Sequence, residues 1–181
     1  MIADGHKWLN VPYDCGFAFV RRPELLYPVF NAAAAYLPQE DPDRPNFGFL
    51  APESSRRARS LAVWATLDAY GRRGYRELVE RNCGQAQLCA ELVDAAPELE
   101  RVADVTLNIV CFRLRPPGVP EEELDDLNAR AGERLLAEGR IYAGTTRYAG
   151  RVAFRPAFVN WRTRDEDVEL LVETIRALDA E

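Results

Sequence analysis

Apolar spacing changes several times along the chain, and each change marks an element. Gly16-Phe17-Ala18-Phe19-Val20 is an unbroken apolar run. It predicts a strand buried on both faces, with a neighbour on each side. Arg21-Arg22-Pro23 ends it. From Tyr36 to Pro52 the pattern is lost among Pro38, Pro42, Pro45 and acidic residues, which predicts a long functional loop. A helical period follows. Ser54 or Ser55 can cap a helix through Leu61, Trp64 and Leu67 that stops at Gly71. A second helix, from about Tyr75, carries Leu78, Val79, Leu88, Leu92 and Val93 and ends before Pro97.

The period then shortens to two. Val110, Phe112 and Leu114 alternate with Cys111, Arg113 and Arg115, predicting a strand with one apolar and one largely polar face. Pro120 before Glu121-Glu122-Glu123 opens a helix, because proline suits the first turn and carboxylates favour the positive dipole end. Leu124, Leu127, Ala131 and Leu135 form its buried stripe, and Gly139 ends it. Strands over about 141–148 and 151–154 turn at Ala149-Gly150. Thr163 and Glu166 form a capping box for a last helix with Val168, Leu171, Val172, Ile175 and Leu178 on its inner face. Residues 85–181 therefore read as a small α+β domain, an antiparallel sheet with helices packed on it. Residues 1–84 read as the tail of a larger domain, with exposed apolar surface around Phe17–Val20 and poor solubility or oligomerisation as its consequence.

Composition narrows the function classes. A net charge of -6, with arginines scattered beside acidic residues, gives no footprint for a nucleic-acid backbone. No apolar run approaches the roughly 20 residues of a membrane span. No signal peptide is visible. Cys15, Cys83, Cys89 and Cys111 form no C-x-x-C pair and there is one histidine, so a Cys/His metal site is not expected. The four cysteines read as buried thiols in a reducing cytoplasm.

The candidate chemistry sits in Asp4-Gly5-His6-Lys7-Trp8. Lys7 is the only lysine, every other basic residue being arginine, and His6 is the only histidine. Arginine stays protonated, whereas a desolvated lysine can lose its proton and attack a carbonyl.

This segment, with Pro12 and Asp14-Cys15-Gly16, resembles the lysine segment of the group II pyridoxal-phosphate decarboxylases, which include aromatic-amino-acid, histidine and glutamate decarboxylases. Arg56-Arg57-Ala58-Arg59-Ser60-Leu61 with Trp64, then Tyr70-Gly71-Arg72-Arg73-Gly74, resembles the helix and glycine turn after that family's catalytic loop. Asn108–Arg113, Phe154-Arg155, Asn160 and the Thr163–Ile175 helix resemble its small domain, in the family's order.

The resemblance implies an α/β, fold-type I architecture, here the C-terminal part of the large domain plus the small domain. It implies pyridoxal 5'-phosphate held by Lys7 as a Schiff base, with His6 near the cofactor phosphate. It also implies decarboxylation of an amino-acid substrate, and a homodimer in the full-length protein. Arg155 matches an arginine that grips a substrate carboxylate in glutamate-type members. Trp8 reads as packing. Tyr36–Pro52 matches the mobile loop that carries a protonating tyrosine in decarboxylating members. Between Gln39 and Gly48 the only aromatic is Phe47, which is compatible with an aldehyde synthase of the same fold.

In such a family the rest of the cofactor site lies upstream of the lysine. The expectation is therefore a C-terminal fragment that is not a competent enzyme alone. A non-catalytic interaction module is the remaining alternative.

Overall fold

The computed structural model describes residues 1–31, 43, 46–53 and 55–178. They form two compact units, Met1–Ala69 and Tyr70–Glu181. The division falls a few helical turns before the boundary drawn from the sequence.

In the first unit, β1 (Ile2–Asp4) and β2 (Gly16–Ala18) form an antiparallel hairpin, with Ala3 opposite Phe17 and Asp4 opposite Gly16. Residues between the strands fold back on them: the Gly5 N–H donates to Cys15 O at 2.9 Å. A Cβ at Gly5 would lie 2.6 Å from Cys15 Sγ and 2.9 Å from the Phe17 ring, so only glycine permits this approach. Val11 and Cys15 are buried there.

The apolar run is not a strand buried on both faces. Its strand is three residues long, Gly16 and Ala18 are exposed, and Phe19 and Val20 are 54% and 47% exposed. Among the described residues β2 pairs only with β1, and no other described strand pairs with its second edge. The exposed apolar surface expected around Phe17–Val20 is present, although Phe17 itself is half-buried. A 3-10 turn at Pro23–Leu25 leads into the short α1 (Tyr27–Phe30). A second 3-10 turn, Phe47–Leu50, is capped by Asn46 Oδ1, which accepts from the Gly48 N–H at 3.0 Å, and it buries Phe49.

Helix α2 spans Arg59–Asp94 and leaves helical geometry at Gly71, with φ 58° and ψ -175°. It begins after the expected caps: Ser55 precedes it, and Ser54 lies outside the described residues. Gly71 breaks the helix as expected, but no separate connection runs to Tyr75. One left-handed residue absorbs the bend, and the Tyr70 and Tyr75 rings pack edge-on across it at 5.6 Å.

The second unit is built on a four-stranded antiparallel sheet of order β3-β4-β6-β5, from β3 (Leu99–Arg101), β4 (Phe112–Leu114), β5 (Thr145–Tyr148) and β6 (Arg151–Phe154). Ala149 (φ 48°) and Gly150 (φ 82°) make the β5–β6 turn, the left-handed pair a two-residue hairpin requires. Helices α3 (Glu121–Glu138) and α4 (Asp165–Ala177), with the later turns of α2, close a core of Cys89, Val93, Phe112, Leu114, Leu135, Phe154, Val168 and Ile175. Pro120 caps α3 and Gly139, at φ 80°, ends it as expected.

Four expectations change in this unit. β4 has no solvent-facing polar side: Arg113 is 1% exposed. Its guanidinium lies 2.6 Å from Glu100 and 2.8 Å from Glu121, which allows a charge to be buried. The first hairpin strand begins at Thr145 and not near 141. Cys83 is half-buried, unlike Cys15, Cys89 and Cys111. Finally, α4 is capped one residue later than predicted. Asp167 Oδ2 accepts from the Arg164 N–H at 2.9 Å, while the Thr163 carbonyl accepts from Gln85 Nε2 at 2.7 Å, which draws Thr163 out of the cap. No helix among the described residues is long and apolar enough to cross a membrane.

Candidate functional site

The Lys7 segment is a reverse turn at the end of β1. The Asn10 N–H donates to Lys7 O at 3.0 Å and Asn10 Nδ2 to Trp8 O at 3.2 Å, with Asn10 itself at φ 52°. Asparagine tolerates this conformation because its amide bonds the local backbone. The turn presents the Lys7 side chain, 64% exposed, outward. Lys7 Nζ lies 2.5 Å from Asp4 Oδ2. The hydrogen bond from Lys7 holds the Asp4 carboxyl below the ordinary carboxylate range. The sequence reading assigned Asp4 nothing; its place three residues before the lysine, across a tight turn, is the signal that could have found this contact.

His6 is held on two sides. Nδ1 lies 3.0 Å from Cys15 O. A carbonyl only accepts, so Nδ1 is the donor, and Nε2 is the ring nitrogen available to another group. The Tyr13 ring lies 4.0 Å from the imidazole at an interplanar angle of 31°. His6 and Lys7 are thus adjacent, with His6 fixed and the amine exposed. Trp8 is half-buried, and its Nε1 is buried without an acceptor among the described residues.

A second group of charges lies in the same unit. A cleft of about 600 Å³ is lined by Asp14, Glu53, Arg56, Arg57, Arg59 and Ser60. Arg59 Nη2 lies 2.9 Å from Asp14 Oδ2 and Nη1 3.5 Å from Glu53 Oε2. The hydrogen bond from Arg59 lowers the Asp14 carboxyl, and Asp14 in turn raises the guanidinium. The sequence shows these arginines as a motif but not their carboxylate partners, Glu53 six residues before Arg59 and Asp14 far upstream.

Arg155 belongs to the second unit, just after β6. Its backbone N–H donates to Gly144 O at 2.9 Å and its side chain is exposed. Its charge opposes the upward push that burial gives the Cys111 thiol. Of the expected catalytic loop, Phe47 is described and is 67% exposed; Tyr36 and Gln39 lie outside the described residues. A larger cleft of about 840 Å³ opens at the start of α4, between Arg81, Gln85, Trp161 and Arg164, and contains none of the predicted site residues.

Comparison with known proteins gives a consistent picture. Residues 1–115 match the family described as the pyridoxal-dependent decarboxylase conserved domain. An aromatic-L-amino-acid decarboxylase of Bacillus atrophaeus is 28% identical over 98% of this chain and 38% of its own length. The enzyme of that name from Sus scrofa is 29% identical over 97% and 35%. Tyrosine decarboxylase 4 of Petroselinum crispum is 30% identical over 84% and 31%.

Among solved structures, Oryza sativa TDC with PLP and tryptamine superposes with a TM-score of 0.90 at 25% identity, over 99% of this chain and 38% of that one. The 4-hydroxyphenylacetaldehyde synthase of Rhodiola rosea gives 0.85 at 22% identity, over 99% and 36%, a likeness of fold alone. The chain spans between 31% and 38% of the length of these relatives. The α/β, fold-type I architecture is that of the pyridoxal-phosphate decarboxylases.

Proposed function

Because the chain belongs to the pyridoxal-dependent decarboxylase family, we propose that it carries the cofactor-holding lysine of an enzyme that decarboxylates an aromatic amino acid. The observation behind this is the His6-Lys7 turn, lying within the matched residues 1–115. The family's cofactor is pyridoxal 5'-phosphate.

The residues of the turn fit that group. Lys7 is the only side-chain primary amine in the chain, it is exposed, and a primary amine is what condenses with an aldehyde. His6, held through Nδ1, offers Nε2 to a polar neighbour. When bound, pyridoxal phosphate supplies the electron sink for the carbon–carbon bond that breaks.

The chain's own residues then have separable roles. Lys7 Nζ is the attachment point, and the amine to which a proton returns on release. Asp4 keeps the free ammonium at the turn. In its imidazolium form, His6 can donate from Nε2 to the cofactor's anionic end while Nδ1–H stays on the Cys15 carbonyl. Arg155 is the candidate donor to a substrate carboxylate, where a planar guanidinium can bind both oxygens. Aromatic substrates are supported by the names of the relatives, aromatic-L-amino-acid and tyrosine decarboxylases. The proposed assembly is a homodimer of the longer protein.

On its own, the 181-residue chain is expected not to turn over. Lys7 is 64% exposed and ion-paired, whereas stabilising a developing carbanion calls for an enclosed, water-excluded site. Phe47, the only aromatic between Gln39 and Gly48, keeps an aldehyde synthase as a second reading. Product analysis on the longer protein separates the two: amine for a decarboxylase, aldehyde with ammonia for a synthase.

Borohydride reduction after adding pyridoxal phosphate tests the attachment. The expected result is a mass increment on the peptide containing Lys7, well above that on the N-terminal amine and lost in Lys7→Arg. Equal labelling of Lys7 and the N-terminus would remove the reading. Rapid CO2 release by this chain alone would overturn the expected inactivity.

A further inference from the structure

The contacts that hold His6 start at another element. Arg59, the first residue of α2, reaches Asp14 at 2.9 Å and Glu53 at 3.5 Å. Asp14 stands between the two residues that grip the imidazole. Tyr13 lies against its ring at 4.0 Å. The Cys15 carbonyl accepts from both His6 Nδ1 at 3.0 Å and the Gly5 N–H at 2.9 Å. Strand pairing with β1 begins only at Gly16, so residues 13–15 lie ahead of the ladder, and the Arg59 contact is a side-chain anchor on them. A planar guanidinium fixes direction as well as distance, which a lysine ammonium would not do.

Resting on the reading of His6 and Lys7 as the cofactor-holding pair, we infer that Arg59 is a positioning residue for His6. It acts through Asp14 and the Cys15 carbonyl, so that the start of α2 sets the tautomer and orientation of the imidazole beside Lys7. With the carbonyl in place, the neutral ring carries its proton on Nδ1 and leaves Nε2 as an acceptor. With the Tyr13–Cys15 segment released, that preference disappears and the ring exchanges between tautomers. The Arg59 hydrogen bond holds the Asp14 carboxyl below the ordinary carboxylate range, so the ion pair is intact at neutral pH.

The chain's single histidine makes the test direct, since ring-nitrogen NMR reads His6 without assignment. Spectra would be taken above the imidazole titration for the parent chain, Arg59→Ala, Asp14→Asn and the exchanged pair Arg59→Asp with Asp14→Arg. The parent should show the Nδ1–H signature. Both single variants should lose it, and the exchanged pair should recover it. Borohydride trapping of pyridoxal phosphate on Lys7 should slow about two- to fivefold in the single variants, the scale of one exposed ion pair.

An unchanged tautomer in Arg59→Ala and Asp14→Asn would overturn the inference, whatever happens at Lys7. Absence of Lys7 trapping in the parent would instead overturn the reading of the lysine. Should Arg59→Ala lose its fold, the isosteric Asp14→Asn decides alone.

Discussion

The two units differ in how they are held together: the second by a buried core, the first by few buried side chains among those described. The second, Tyr70–Glu181, buries Phe112, Leu114, Leu135, Phe154, Val168 and Ile175 at 0% exposure. The first carries Lys7 and His6, yet its buried apolar residues among those described are Val11, Cys15 and Phe49. There Ile2, Val29, Phe47, Leu61 and Trp64 are all more than 60% exposed. Apolar burial drives folding at about 25 cal/mol per Å², so the second unit can hold itself together while the first has little to close on. The Lys7 turn is accordingly held by a glycine-only approach at Gly5, a carbonyl on His6, and ion pairs at Asp4 and Asp14.

The largest expected difference comes from truncating one aromatic residue in each unit. Phe112→Ala removes a ring packed 5.8 Å from that of Phe154 and should cost about 3–5 kcal/mol of unfolding free energy. Phe19→Ser, at a half-exposed ring, should change it by about 0.5 kcal/mol or less. Urea titration followed by circular dichroism measures both, and similar losses would mean that the units share one core. Next in size is Arg113→Ala, expected to cost about 3 kcal/mol, because it empties the buried space that the arginine fills and unpairs the half-buried Glu100, whereas the exposed Glu121 carboxylate returns to water. Arg59→Ala, which removes the outwardly similar two-carboxylate contact of the first unit, should leave the urea midpoint where it is and change only His6.

A smaller effect is expected at Asn128. This residue is fully buried, and its amide accepts from the Leu114 N–H at 2.8 Å and donates to Leu114 O at 2.9 Å. The side chain thus occupies the place of a neighbouring strand. Asn128→Ala leaves that peptide unsatisfied and should cost about 1–3 kcal/mol. Faster hydrogen exchange at the Leu114 amide would show the loss is local. No change there would mean that water replaces the amide.

Much of this was legible in the sequence, where one short signal decided one element. Pro120 and Gly139 bound α3, and Ala149-Gly150 marks the hairpin, because proline, glycine and left-handed turns act within a few residues. The family was legible from motifs of similar length, whereas the reverse turn at Lys7 was not foreseen. Positions that depend on distant partners were not legible. Arg113 reads as surface on any alternating strand until Glu100 and Glu121 arrive from β3 and α3. β3 itself, Leu99-Glu100-Arg101, carries too few apolar residues to announce a strand. The Gly16–Val20 run reads as buried because apolar runs usually are, and nothing within it records that β2 pairs with β1 alone among the described residues. At the site, Asp4 was within reach of local reading, whereas the Arg59–Asp14 pair joins residues far apart in the chain.

The smallest predicted effect separates the units by pH. Asp125 Oδ1 accepts from the Val152 N–H at 2.8 Å, and Oδ2 lies 2.8 Å from Arg147 Nη1. The backbone hydrogen bond, helped by Arg147, holds this carboxyl below its ordinary range. A carboxyl whose pKa is lower in the folded state stabilises the fold above its unfolded value, near pH 4, and that contribution is lost as pH falls through the lower folded value. The gap in urea midpoint between the parent and Asp125→Asn should therefore be widest at neutral pH and close toward pH 3. The Asp14 carboxyl is lowered in the same way by Arg59, but it anchors a turn with little core beneath it. Asp14→Asn should show no such gap at either pH, only the change at His6. A midpoint gap for Asp14→Asn as wide as that for Asp125→Asn would mean that the first unit contributes to global stability after all, and that the division between the units is wrong.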